Sequence, residues 1–148
     1  MSQTVLYLFT VPRSSIPFAF LEMATGRRRA RKIPGVSSAK LMGTGTGRTF
    51  TPSDADLKQW AILFVADDLS KVEDSHFLQR WQSKSTKVET FHLNPISSHG
   101  EWSKVSPFKV CEPENPTGPI VAITRARIKW SQAIRFWRSI PPVVSDLH

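Results

Sequence analysis

The stretch from Ile33 to Pro52 reads IPGVSSAKLMGTGTGRTFTP. A strand predicted over Val36 to Met42 runs into glycines at 43, 45 and 47 that alternate with threonines, and the stretch ends at a proline. Glycine accepts backbone angles and close approaches that a Cβ forbids, so this is either a tight strand exit or a wall against a ligand. Its likeness to a phosphate loop is superficial. The P-loop ends in Gly-Lys-Ser/Thr and the dinucleotide fingerprint opens a helix, whereas Arg48-Thr49-Phe50-Thr51-Pro52 follows here.

Upstream of it, Thr4 to Val11 (TVLYLFTV) suits a buried strand, and Pro12 ends it. Ser14 or Ser15 is placed to cap a helix with Pro17 in its first turn. Ile16, Ala19, Phe20, Met23 and Ala24 follow at the spacing of one helical face, which Phe18 and Leu21 widen. So broad a stripe packs on a sheet, walls an apolar cavity or touches a membrane. Gly26 and the run Arg27-Arg28-Arg29-Ala30-Arg31-Lys32 mark the far end of this helix or its continuation.

Downstream, the polar connector SDADLK precedes a third strand, Trp60 to Ala66, whose unbroken apolar character predicts burial on both faces. Asp67-Asp68 close it. Ser70 is expected to cap a second helix through about Lys84, with Val72, Phe77 and Trp81 on or near its inner face. Lys87 to Pro95 reads as a fourth strand, with Val88, Thr90 and His92 on one face and Glu89, Phe91 and Leu93 on the other. The order is β-α-β-β-α-β, the ferredoxin-like split unit, and the fold class is α+β.

After this first repeat, residues 1–96, comes a segment rich in Ser, Pro, Glu and Asn over 97–118, read as a linker loop anchored by Trp102 and Phe108. Residues 119–148 then start the pattern again. IVAITRARIKW is a strand candidate, Ser131 a cap, and Ala133, Ile134, Phe136 and Trp137 the apolar residues of a helix. Ile140-Pro141-Pro142-Val143 closes that helix much as Ile33-Pro34-Gly35-Val36 closes the first. The second repeat reads as truncated, which leaves a sheet edge or an apolar face to be covered by another chain.

Length, at 148 residues, allows one core without staples, and 40% apolar with 22% charged residues is globular composition. The single cysteine, Cys111, closes no internal disulfide and builds no zinc site, which fits a reducing compartment. Arg13 stands behind the first apolar run, and Pro12 and Pro17 interrupt it, so the segment does not read as a secretory leader. The longest apolar run, Trp60 to Ala66, is too short for a bilayer helix. The formal charge of +8 is concentrated in the first 50 residues, which hold eight Lys or Arg against one acid. Such a cluster attracts nucleic acid or anionic headgroups, or simply complements a helix end.

His76, His92, His99 and His148 have no zinc spacing, and no metal is expected. His76, on the second helix near Arg80, suits a surface role or a haem ligand; His92 stands at a strand position and His99 in a loop beside Gly100. Arg125 and Arg127 alternate along the fifth strand and suit an acidic group such as a haem propionate, or solvent. No serine or cysteine sits in a nucleophile elbow. RNP-like, KH-like and zinc-knuckle patterns are also missing, which disfavours nucleic acid as partner.

The segments KLMGTGTGRTFTPSDADLKQWAIL, FLQRW, HLNPISSHGEWSKVSPF and IVAITRARIKWSQAIRFWRSIPPV resemble, in that order, the spheroidene monooxygenase family. The resemblance implies a dimeric or tandem α+β barrel of ferredoxin-like units. It implies a haem b oxygenase that uses O2 and a reduced ferredoxin-type donor to convert the C-2 methylene of an acyclic carotenoid to a hydroxyl and then a ketone. Family members continue past the equivalent of His148 with a helix bearing a histidine, so activity of the chain at this length is a separate question.

Cofactor-binding candidates are His76, His92, His99, Arg80, Arg125 and Arg127; substrate-binding candidates are Lys40, Gly43, Gly45, Trp81, Trp102, Phe136 and Trp137. Gly100 and Arg138 also match family positions. The expected location is cytoplasmic, peripheral to the inner face of the membrane, with Arg27, Arg28, Arg29, Arg31 and Lys32 at the lipid surface. The competing reading is a non-catalytic α+β barrel module that forms a homodimer and binds a small apolar ligand.

Overall fold

A computed structural model of the chain describes residues 2–46, 52–99, 101, 106–108, 110 and 118–123. The chain divides into two compact units, Met1–Thr44 with Asp56–Pro113, and Gly45–Ala55 with Glu114–His148. The elements are strand β1 (Gln3–Thr10), helix α1 (Ile16–Arg31), strands β2 (Val36–Gly45) and β3 (Ala55–Ala66), helices α2 (Leu69–Glu73) and α3 (His76–Lys84), and strand β4 (Lys87–Leu93). The four strands lie in the order β2-β3-β1-β4.

β1 is the centre of pairing. It runs antiparallel to β3 from Gln3↔Ala66 to Thr10↔Gln59, and antiparallel to β4 from Thr4↔Leu93 to Thr10↔Lys87. Between β2 and β3 the Ser37 hydroxyl donates to the Val65 carbonyl at 3.0 Å and the Thr44 hydroxyl to that of Gln59 at 2.7 Å, so these strands also run in opposite directions. This is the ferredoxin-like α+β fold, as the element order predicts.

Three local readings change. Residues 55–58, expected as the end of the connector SDADLK, are the first part of β3, because backbone pairing is indifferent to their mostly exposed side chains. Gly43 and Gly45 are likewise strand rather than exit. The second helix is broken in two. Asp68, not Ser70, caps α2: its carboxylate accepts from the Ser70 N–H at 3.0 Å and hydroxyl at 2.6 Å, bonds that hold the carboxyl below its usual range. Ser75 then caps α3, its hydroxyl oxygen accepting from the Leu78 N–H at 3.2 Å.

Ser15 takes the N-cap position of α1 but makes no side-chain cap bond; Pro17, which lacks an N–H, removes one orphan donor instead. The helix runs on through Gly26 to Arg31, and Gly35, at φ +81, turns the chain into β2.

Alternation along the strands gives the sheet two faces. Val5, Tyr7 and Phe9 of β1 and Trp60, Ile62, Phe64 and Ala66 of β3 join one core with Ala19 and Ala30 of α1 and Phe77, Leu78 and Trp81 of α3. Aromatic rings run through it. Phe18 meets Trp81 edge-on with centroids 5.4 Å apart, Trp81 meets Phe9 at 5.2 Å, and Phe9 stacks on Tyr7 at 6.0 Å. Tyr7 and Phe77 both meet Phe64 edge-on.

Candidate functional site

The face of the sheet turned away from the helices is apolar. Leu6 lies opposite Leu63 and Leu8 opposite Ala61, while Phe91 pairs with Leu6 from the other side. Leu63 and Val65 are buried, and Phe91 is 42% exposed. The prediction that Trp60 to Ala66 is buried on both faces therefore holds: all seven residues are buried. Lys40 falls on this same face, since Ala39 beside it points into the core.

The glycines predicted to line a ligand differ from each other. A Cβ at Gly43 would sit 3.9 Å from the Trp60 ring, an ordinary contact. At Gly45 it would sit 3.3 Å from the Asp54 carbonyl oxygen, tight against backbone. Thr46 bonds Asp54 twice, through its N–H to the carbonyl at 2.9 Å and through its hydroxyl to the carboxylate. Gly45 thus serves a close approach of chain to chain.

Arg80 and Trp81 are brought together, in the packing of α3 on α1. Arg80 lies 3.3 Å from the Glu22 carboxylate and 5.5 Å over the centroid of the Phe18 ring. Trp81 is fully buried in the core. Its indole N–H, the Tyr7 hydroxyl and Oε1 of Glu22 are buried without a hydrogen-bond partner. Burial, with the Glu73 carboxylate adding to it, pushes the Tyr7 hydroxyl up to about 12. Glu22 went unread in the sequence. Its signal was an acid at i+3 from Ala19, inside the stripe that continues to Gly26 and Ala30, with Arg29 seven residues on.

The histidines are not brought together. His76 opens α3, His92 pairs with Val5 at the β4 edge, and His99 follows β4; all three are exposed. His99 shares a 3.1 Å bond with the Ser97 hydroxyl, and no hydrogen bond joins any two of the three. Haem iron needs an axial ligand aimed into an apolar pocket. The described residues do not fit haem, because each histidine among them lies at the surface. They also hold no group of three or more His, Cys, Asp or Glu able to bind a metal ion. Trp102, Arg125, Arg127, Phe136 and Trp137, with Gly100 and Arg138, lie outside the described residues, as do most of the expected linker and second repeat.

Strand order, antiparallel register and helices on one face define a ferredoxin-like α+β domain with an apolar second face. No protein-family model matches the chain. The chain belongs to the spheroidene monooxygenase family. It is 37% identical over 137 residues to the spheroidene monooxygenase of Rhodobacter capsulatus, covering 88% of this chain and 56% of that protein. With the spheroidene monooxygenase of Cereibacter sphaeroides it is 32% identical over 126 residues, covering 82% and 39%. The chain therefore spans about half the length of the curated relatives it matches. Among solved structures, PA3566 from Pseudomonas aeruginosa aligns with 65% of this chain and 95% of its own, at 12% identity and a TM-score of 0.49.

Proposed function

We propose that the chain forms part of a monooxygenase that oxidises an acyclic carotenoid at its C-2 methylene. The observation that carries this reading is the identity with spheroidene monooxygenases over most of the chain. Leu6, Leu8 and Phe91, the residues of the apolar sheet face that keep exposure, support it, as a surface against which a polyene loses water. A homodimer closed over that face is the assembly that goes with it.

The chemistry is two successive oxygenations. In each, O2 takes two electrons from a reduced ferredoxin-type donor and two protons; one oxygen atom enters the substrate and the other leaves as water. The first converts methylene to secondary alcohol, and the second gives a geminal diol that loses water to the ketone. The described residues contribute binding and water exclusion. A lipid substrate sets this reaction at the inner membrane surface, where Arg27, Arg28, Arg31 and Lys32 belong; Arg29, expected there as well, instead holds the buried Glu22 carboxylate at 2.8 Å.

The test supplies the chain with spheroidene in liposomes, reduced ferredoxin and isotopically labelled O2, beside a full-length relative. Labelled alcohol and ketone are expected. Product from the relative alone overturns the reading for this chain.

A further inference from the structure

The outward surface of α1 changes character along its length. Phe20 and Leu21, in its first half, are 50% and 57% exposed, large for apolar side chains on a helix that already buries another face. Arg27, Arg28 and Arg31 occupy the last turns and Lys32 the C-cap, all exposed. At 100° per residue Phe20, Ala24, Arg27 and Arg31 form one stripe and Pro17, Leu21, Ala24 and Arg28 the stripe beside it. Both stripes begin apolar and end cationic, over about 16 Å of helix axis.

The opposite face explains why these cations are free to act together. Glu22 is the only acid on α1; it is buried and engaged by Arg29 at 2.8 Å and Arg80 at 3.3 Å. No ion pair among the described residues involves Arg27, Arg28, Arg31 or Lys32. Complementing the helix dipole accounts for a cation in the last turn but not for Phe20 and Leu21 in the first two. The Phe20 ring meets Trp60 edge-on, with centroids 5.3 Å apart, and half of it remains exposed beside that contact.

We infer that this face of α1 docks on an anionic lipid bilayer, with Phe20 and Leu21 entering the headgroup boundary and Arg27, Arg28, Arg31 and Lys32 meeting lipid phosphates. An interfacial helix combines an apolar insert with cations that reach the headgroups, and α1 has both on one surface. A nucleic-acid surface would use the cations but gives no role to exposed Leu21. No helix of the described residues is long and apolar enough to cross a membrane. The inference rests on the membrane contact in the reading above and not on its oxygen chemistry. Binding is therefore measured without substrate, and oxidation is assayed separately on carotenoid in detergent.

The experiment is co-sedimentation of the full chain with phosphatidylcholine vesicles, with and without about a third phosphatidylglycerol. Binding at least about tenfold tighter to the anionic vesicles is expected. The pair Arg27→Gln and Arg28→Gln should weaken it by about fivefold per cation removed. Leu21→Gln should weaken it by about fivefold and leave the fold, read by circular dichroism, unchanged. Lys58→Gln with Lys84→Gln removes the same charge elsewhere and should change binding little. Equal binding to neutral and anionic vesicles overturns the inference. So does equal weakening by the two charge pairs, or binding that single-stranded RNA abolishes and Leu21→Gln leaves unchanged.

Discussion

Arg80 reaches from α3 to Glu22 on α1, with 3.3 Å between Nη2 and Oε1, and this ion pair joins the two helices over the core. The Glu22 carboxylate is 1% exposed and its other oxygen is taken by Arg29 at 2.8 Å. Oε1 has no hydrogen bond of good geometry, so Arg80 holds it by charge alone.

Replacing Arg80 by leucine leaves a buried carboxylate with one cation in place of two. The expected loss is about 2 kcal/mol, below the usual cost of breaking a buried pair because Arg29 remains and Arg80 is partly solvated. Glu22→Met with Arg80→Leu removes both the charge and its partner, and should be more stable than Arg80→Leu alone. Urea denaturation of the three proteins decides it. A double variant weaker than the single one would mean that Glu22 held by Arg29 alone contributes more than its desolvation costs.

Gly26→Ala should destabilise although alanine is the better helix former. A Cβ there would stand 2.8 Å from Oε2 of Glu22 and 3.0 Å from the Phe77 ring. Arg29 pins the carboxylate, so it cannot swing away. The clash is expected to outweigh the helix-propensity gain of about 1 kcal/mol and leave a net loss of about 1–2 kcal/mol. A rise in melting temperature would show that the Glu22 cluster has room to shift.

These two sites show what the sequence displays and what it hides. Strand and helix order is legible because each element declares itself locally: TVLYLFTV by β-branched and aromatic residues, Trp60–Ala66 by an unbroken apolar run. The break between α2 and α3 is a local signal too, carried by the caps Asp68 and Ser75, where the sequence reads as one helix capped at Ser70. Glu22 and Arg80 stand 58 positions apart, and only the packing of two helices on one sheet brings them together. Arg80 and Trp81, expected to bind cofactor and substrate, are placed by the structure in the packing of α3 on α1 and the sheet.

Gly43 and Gly45 separate by substitution. Gly43→Ala adds a methyl at ordinary distance from Trp60 and should change stability by less than about 0.5 kcal/mol. Gly45→Val brings branched carbons against the Asp54 carbonyl and should cost about 1–3 kcal/mol. Equal effects at the two positions would refute the distinction.

Exposure of His76, His92 and His99 predicts that none is required by the fold. Each replaced by alanine should stay within about 0.5 kcal/mol of the parent. If the protein is supplied with haem, its absorption spectrum should be the same for all three variants as for the parent. A lost or shifted Soret band in any one variant would assign that histidine as a ligand.

Tyr7 sets an alkaline limit. Its hydroxyl ionises near 10.0 when solvated and about 12 in the fold, because burial disfavours the phenolate. The folded state therefore holds its proton to higher pH than the unfolded state does. The associated stability is fully present below pH 10 and is lost as pH rises through about 12, by roughly 2–3 kcal/mol in all. Tyr7→Phe removes that loss, since nothing remains to ionise. At neutral pH the same variant should be neutral or slightly stabilising, because the hydroxyl is buried without a partner. Denaturation of both proteins at intervals from pH 8 to 12, compared as a difference, isolates this group from the lysines that titrate in both. Parallel curves across that range would place the Tyr7 hydroxyl in contact with water.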